Sequence, residues 1–358
     1  MKVSIVSLYG HFNYGNRLQS YAAQEILRDL GCDTTVIHVE TRKTQVREIM
    51  KKVYFSPPVK ALLRPSPSTV YKNRRQRNFE RFTRENISEK AYYSVKAIED
   101  ADFFVLGSDQ VWNPKRYNET KKQLFFLTFT EPRKKVCLSP SFGLSEIPEK
   151  WRAYFSEQLA TFPNLCARED SGAAIIRQLT GRDVPVFIDP TLMLDRDKWS
   201  AAARKPEKVR TDGGYILQYF LGGVTAKAAE DAKDLSGRIN VPVYDLMDPG
   251  SEGLYTSGPA EFLYLIEHAS LIQTDSFHAC VFSFLFGRPF LLYPREGKDA
   301  DMLSRIDTLF NTFGLMRKYA VGGLENDPFE CDYTAGYERL EQEREKLNAF
   351  LKKSMNLI

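Results

Sequence analysis

The sequence predicts an α/β protein of two Rossmann-like lobes facing a cleft. Three observations predict it. The chain opens as strand, glycine-containing loop, amphipathic helix, glycine and strand, the pattern of a parallel βαβ unit. The alternation pauses at Asp189-Pro190 and restarts at GGYILQYFLGG. A length of 358 residues suits two domains of roughly 100–200 residues each. The expected division is 1–190 for the first lobe, carrying a basic insert at 42–91, and 191–358 for the second, closed by a C-terminal helix.

In the first lobe KVSIVSLY reads as a β-rich strand. The helix in RLQSYAAQEILRDLG follows from apolar residues at Leu18, Tyr21, Ala22, Ile26, Leu27 and Leu30, with Gly31 as its stop. TTVIHVE is the next strand. After the insert, with its PP and RPSPS breakers, DFFVLGSDQVW and KKVCLSPSFG each read as a strand entering a polar loop. LCARED reads as a strand and charged turn leading into the helix SGAAIIRQLTG, and VPVFIDPTLML as a strand that stops at Asp189. In the second lobe the strands are GGYILQYFLGG, VPVYDLM, SLIQTDS and RPFLLYPR. Between them lie the helices TAKAAEDAKDLSGRI, GPAEFLYLIEHA and FHACVFSFLFG. The helix YERLEQEREKLNAFLKKSM closes the chain.

Composition excludes several classes. Hydrophobic residues make up 43% and charged residues 27%, ordinary for a globular chain. The five cysteines are scattered, without CxxC or zinc spacing, and read as reduced thiols packed as small hydrophobes. The opening MKVSIVSLYG lacks a long apolar core and a small-residue cleavage motif, so no secretory signal is expected. No stretch reaches the roughly 18 apolar residues that span a bilayer. A cytoplasmic protein, peripheral at most to an inner membrane, is expected. No metal site, P-loop, GxGxxG, GxSxG or HExxH motif is present.

The net charge of +4 is uneven. Residues 42–84 hold 13 Lys/Arg against Glu48 and Glu80, a local +11, which leaves −7 on the remainder. Such a segment is either a solvated insert or a patch facing anionic lipid or a diphosphate-linked substrate. VREIMKKVYF within it has the interleaving of a basic amphipathic surface helix. Nothing accompanies it that reads as a nucleic-acid motif.

The residues with chemical potential fall in loops at the carboxyl ends of strands, where open parallel sheets bind ligands. In TDSFH, Asp275 or Ser276 can cap the following helix, leaving amides around Ser276 and Phe277 for an anion. His278 then lies in the first turn, as an acid–base group or as a satisfied core histidine. Arg168 in LCARED is a guanidinium fork suited to carboxylate or phosphate, or one half of a structural salt bridge. GSDQVWN groups Ser108, Asp109, Gln110 and Asn113 beside Trp112, a combination that suits a sugar and also suits a turn. GHFNYGNR adds Asn13, Asn16, Arg17 and Gln19.

These loops, in this order, resemble the polysaccharide pyruvyl transferase family. The matching pieces are GNRLQSYAAQEIL, DFFVLGSDQVWNP, AREDSGAAI, VFIDPTLML, GPAEFLYLIEHASLIQTDSFHACVFSFLFGRPF and SRIDTLF. The resemblance implies a fold like that of the B-type glycosyltransferases. It also implies transfer of pyruvate from phosphoenolpyruvate, a co-substrate rather than a bound cofactor, to a sugar of a bacterial surface glycan. The expected acceptor is lipid-linked or nucleotide-linked, and the product a ketal. On this reading His278 is the acid–base residue and Asp109 orients or deprotonates an acceptor hydroxyl. Arg168, Arg305, Ser276, Phe277 and Arg288 bind the donor. Asn13, Asn16, Arg17, Gln19, Ser108, Gln110 and Trp112 bind the acceptor, in the first lobe. The chain departs from the family at Ser276, where relatives carry an arginine, and at Ala279, where many carry glycine. Either Arg288 or Arg17 supplies the missing cation, or this branch uses another donor or acceptor. A nucleotide-sugar glycosyltransferase of the same architecture, or a non-catalytic glycan-binding homologue, are the alternatives.

Overall fold

The computed structural model describes residues 1–10, 12–40, 50, 66–295, 303–315, 320 and 327–358. The first sheet contains β1 (Lys2–Val6), β2 (Asp33–Val39), β3 (Glu89–Tyr92), β4 (Phe103–Leu106) and β5 (Lys135–Cys137), in the order β3-β2-β1-β4-β5 and parallel throughout. The second contains β6 (Ile216–Tyr219), β7 (Val243–Asp245), β8 (Leu271–Thr274) and β9 (Phe290–Leu292), in the order β7-β6-β8-β9, also parallel. The central strands are buried along almost their whole length, as helices on both faces require, so they read as apolar runs rather than alternations. In each sheet the chain winds outward one way and then returns to the other side. The switch falls between β1 and β4 in the first lobe and between β6 and β8 in the second, and loops leaving these strands form the natural crevices.

Helix α1 (Tyr14–Asp29) follows β1; Asn13 caps it by accepting the Asn16 amide at 3.1 Å, so it starts three residues before the expected Arg17. The long helix α2 (Pro67–Asn86) comes next, with Ser66 as its cap and Pro67 in its first turn. Further along lie α3 (Glu119–Phe125), α4 (Glu149–Ala160), α5 (Asp170–Thr180) and α6 (Arg196–Ala202). The second lobe holds α7 (Ala226–Ile239), α8 (Glu252–Tyr255), α9 (Pro259–Glu267), α10 (Phe277–Leu285), α11 (Leu303–Phe313) and α12 (Thr334–Ser354).

Two expected strands are reduced to a single bridge. LCARED and VPVFIDPTLML meet only at Ala167–Val186, flanked by bonds from Ala167 to the Pro185 carbonyl and from Phe187 to the Ala167 carbonyl. Pro185 and Pro190 lack the amide protons that a longer ladder needs. The chain instead turns at Asp189, whose Oδ1 accepts the Thr191 amide and hydroxyl at 2.9 and 2.7 Å.

Part of the basic insert has a structural task. From α2, Arg75 donates to the Tyr255 carbonyl at 3.0 Å and Asn78 to the Thr256 carbonyl at 2.6 Å; Arg81 pairs with Glu261 at 2.6 Å, and Arg74 with Glu252. The buried Arg75 guanidinium also lies over the rings of Tyr14, Phe79 and Tyr255. A crossover of the first lobe is thereby fastened to the second. A groove of about 310 Å³ beside this strap is lined by Arg74, Arg81, Arg204, Lys205 and Lys208, and each faces a carboxylate. The segment VREIMKKVYF lies outside the described residues apart from Met50.

Helix α12 returns to the segment that links the two sheets. Arg344 donates to the carbonyls of Leu192 and Leu194, both at 2.8 Å, and the Phe350 ring lies 5.0 Å from that of Phe187. The five cysteines are free thiols, four of them buried. Among the described residues no helix is long and apolar enough to cross a membrane.

Candidate active site at the lobe junction

The loops after β1 and β4 in the first lobe and after β8 in the second converge on one buried polar cluster. Arg168 is its centre. Its Nη1 donates to Asp189 Oδ2 at 2.5 Å and to Ser108 Oγ at 3.2 Å, and its Nη2 lies 3.7 Å from Asp109 Oδ1. Nη2 and Nε are buried without a hydrogen bond. The guanidinium carbon sits 4.8 Å from the centre of the Phe277 ring. Arg305, from α11, brings a second guanidinium to the same ring at 5.8 Å, with Nη1 3.6 Å from Asp109 Oδ1. Two like charges are thus gathered around one aromatic ring, with Asp109 Oδ1 within 3.7 Å of both.

Asp109 is held by its backbone as well as by charge. Its φ of 68° is in the left-handed region, an uncommon place for a non-glycine residue, in a turn that bridges to Pro140. Asn16 Nδ2 donates to its Oδ2 at 2.7 Å. Burial alone would raise its pKa, but nearby positive charge, Arg168 foremost and Arg305 with it, outweighs that and holds the carboxyl below the usual range. Asp189 follows the same logic, with Arg168 foremost among the groups that overcome burial. For Arg168, burial disfavours the charge, while Asp189, Asp109 and Glu169 more than restore it. Arg305 is pushed down to about 10 by burial and by Arg168, so it remains a cation at neutral pH.

His278 occupies the first turn of α10. Its Nε2 makes no hydrogen bond and lies 3.8 Å from Asp189 Oδ2. Burial lowers its pKa, only partly offset by Asp189 and Asp109, so the imidazole is held neutral. Neither expected cap operates. Ser276 occupies the cap position without a side-chain bond, and Asp275 instead accepts the amides of Leu221 and Gly222, both at 2.8 Å, and pairs with Arg295. The chain thereby ties the loop after β6 to the loop after β8. Arg168, Asp189, Phe277, Arg305, Leu309 and Phe313 line a cavity of about 40 Å³.

The structure therefore brings together Asn16, Ser108, Asp109, Arg168, Phe277, His278 and Arg305, and places Ser276 at the end of the same turn. Other expected site residues lie elsewhere. Arg17 is one position along α1 from Asn16 and points away; its Nη groups meet Glu89 at 3.2 Å and the Leu8 carbonyl at 3.0 Å, and its guanidinium stacks on Tyr9. Arg288 precedes β9, at the amino ends of the strands, whereas His278 follows β8 at their carboxyl ends. Neither arginine reaches the cluster, so the cation beside Arg168 is Arg305. Trp112 is wholly enclosed, its Nε1 donating to the Phe125 carbonyl at 3.1 Å and its ring packed on Phe126, Phe142 and Phe162; it offers no face to a sugar. Gln19 turns inward onto Ser20 and the Asn16 carbonyl, Gln110 packs on Gly143, and Asn13 is spent as the exposed cap of α1. Asp189 was not among the expected residues, its carboxylate being masked in the sequence by the Asp-Pro turn signal. Among the described residues no group of three His, Cys, Asp or Glu is placed to hold a metal.

The fold and the buried polar cluster at the lobe junction describe a two-lobed α/β protein with a candidate site between its sheets. The chain belongs to the polysaccharide pyruvyl transferase family, whose family model matches residues 13–296. No curated protein matches it significantly. Its similar solved structures include UDP-GlcNAc 2-epimerase from Neisseria meningitidis, 11% identical, covering 100% of this chain and 98% of that one with a TM-score of 0.40. The N-terminal domain of trehalose-6-phosphate phosphatase from Candida albicans is 11% identical over 99% and 92%, at 0.45. The glycosyltransferase SnogD from Streptomyces nogalater is 13% identical over 99% and 98%, at 0.37. At such scores the likeness carries no argument, and the fold rests on the two parallel sheets themselves.

Proposed function

We propose that the protein transfers the pyruvyl group of phosphoenolpyruvate to a sugar of a surface-glycan intermediate, forming a ketal and releasing phosphate. Family membership supports a transferase, and one observation carries the finer reading. Two buried guanidiniums lie against the Phe277 ring, both facing Asp109, beside an imidazole whose proton affinity burial lowers, which matches a donor with two anionic groups and a carbon to be protonated.

The residues divide the work as follows. Arg168 and Arg305 hold the donor's carboxylate and phosphate. The donor's negative charge raises the pKa of the neighbouring His278, which then delivers a proton to the methylene carbon of the enol. The adjacent carbon becomes oxocarbenium-like and is attacked by a sugar hydroxyl, whose proton passes to the imidazole now left neutral. A second hydroxyl displaces phosphate, which carries away the remaining proton. Asp109 is too firmly held as an anion by Arg168, Arg305 and Asn16 to be an effective base near neutrality, so it orients the guanidiniums.

Purified protein is expected to release phosphate from phosphoenolpyruvate only when a suitable glycan acceptor is present. His278→Ala should cut that release by roughly 10²–10⁴-fold with the fold intact. Thermal stabilisation by a UDP- or GDP-sugar and none by phosphoenolpyruvate would remove this reading in favour of a glycosyltransferase. Saturable glycan binding without turnover of either donor would favour a binding protein.

A further inference from the structure

The first turn of α1 carries three consecutive residues with three different tasks. Tyr14 reaches into the second lobe, donating to the Ser257 carbonyl at 2.9 Å and stacking on Phe262 with ring centres 4.4 Å apart. Asn16 orients Asp109. Between them Gly15 presents bare backbone to the ring of His278, so close that a methyl group on its Cα would overlap Nδ1, Cε1 and Cγ of the imidazole. The contact crosses the lobe junction, since α1 belongs to the first lobe and α10 to the second. The φ of Gly15 is not positive, so nothing in its backbone conformation calls for glycine. Within a helix, alanine is the better former. The approach of the imidazole accounts for a glycine here.

We propose that Gly15 is a positioning residue: its missing side chain is the seat that lets the lobes close far enough for His278 to reach Asp189 and Arg168. Any larger residue at 15 pushes the first turn of α10 off the first turn of α1, and Nε2 with it. The ring faces Asp109 and Asp189 from the first lobe and Arg168 and Arg305 around Phe277, so its environment is set by how closely the lobes meet. The catalytic consequence rests on the reading of His278 as the acid–base residue; the steric coupling does not.

The test is a cycle of Gly15→Ala in the wild-type and His278→Ala backgrounds, read by thermal unfolding. Gly15→Ala is expected to lower Tm in the wild type, because the methyl meets the ring. In His278→Ala it is expected to raise Tm, because the ring is gone and the helix preference returns. Should the single variant fail to fold, the double variant should still fold; a double variant that also fails overturns the proposal. So does a Tm that rises equally in both backgrounds. In a second readout, the NMR titration of His278, identified by its loss in His278→Ala, should move toward an ordinary imidazole in Gly15→Ala; no change counts against the seat. With phosphoenolpyruvate and acceptor, kcat should fall by roughly 10²-fold. If the protein turns over no phosphoenolpyruvate at all, the proposed function fails while the stability cycle still decides the role of Gly15.

Discussion

Arg168 and Asp189 form an ion pair closed to water, Nη1 to Oδ2 at 2.5 Å, with side-chain exposures of 2% and 0%. The other oxygen of Asp189 closes the turn at Thr191, so the carboxylate joins a backbone corner to the centre of the site. Buried pairs of this kind gain little over an apolar pair but are costly to break from one side. Asp189→Asn keeps the size and an acceptor for Thr191 while turning an amide toward the guanidinium. Since Asp109 and Glu169 still face Arg168, the loss should be near the low end of the range for such pairs, about 3 kcal/mol. Urea unfolding at pH 7 measures it, and a variant as stable as the wild type would show that the pair does not hold the turn.

Trp112 separates packing from recognition. Its ring contacts Phe126, Phe142 and Phe162, and its indole proton is satisfied by a backbone carbonyl. Trp112→Ala should cost about 3–5 kcal/mol, as for other large aromatic truncations in cores. Trp112→Phe should lower Tm while leaving the KM for the acceptor within twofold, roughly the scatter of a neutral change. A large rise in acceptor KM at unchanged stability would return Trp112 to the binding surface.

How much of this was legible follows from what each residue type signals. The sheets are readable because their central strands are short, mostly apolar runs bounded by glycine, proline or polar loops. The short polar β3, EKAY, carries no such signal and forms by pairing along β2. Placing the site after β1, β4 and β8 needed only the rule that parallel sheets bind ligands at their carboxyl ends. Choosing among the residues of each loop was harder. Asn16 and Arg17 are neighbours, yet about 100° of helical rotation sends one to Asp109 and the other to Glu89. Trp112 in a polar loop reads as a sugar platform because sequence does not reveal that Phe126, Phe142 and Phe162 enclose it. Arg305 is expected only through the resemblance of SRIDTLF, and Gly15 acts through a contact across the lobe junction that no local pattern encodes.

The imidazole of His278 makes stability depend on pH with a definite sign. Burial lowers its folded pKa below the ordinary 6.5, so below that value the unfolded chain binds a proton that the folded chain refuses. Its contribution is therefore complete above pH 6.5 and is lost as the pH falls toward the depressed folded value, with a slope of at most about 1.4 kcal/mol per pH unit. The depressed carboxyls of Asp109 and Asp189 add a second loss, below the ordinary 3.8. Urea unfolding between pH 5 and 8 should show the first decline in the wild type and a flatter profile in His278→Gln. Identical profiles would mean that the imidazole titrates normally in the folded protein. A saturating donor anion should reduce the decline by giving the imidazolium a partner.

Asp109 combines an unfavourable backbone with a required charge. A φ of 68° is comfortable for glycine and tolerable for asparagine, so neither replacement adds strain. Asp109→Gly should recover about 1 kcal/mol of backbone strain while losing the carboxylate that separates Arg168 from Arg305. Asp109→Asn keeps the shape and the reach to Asn16, but leaves two buried cations sharing the Phe277 ring without a charge between them. The guanidinium of Arg305, already pushed down by burial and by Arg168, would move further in that direction. Asn at 109 should therefore destabilise the protein by about 1–3 kcal/mol, the range for a buried polar group deprived of its partner. It should also raise the KM for the donor more than it lowers kcat, because the carboxylate arranges the anion clamp and moves no proton. Steady-state kinetics decides between the two roles for this carboxylate. A fall confined to kcat, with a shifted pH optimum, would make Asp109 the base that deprotonates the acceptor.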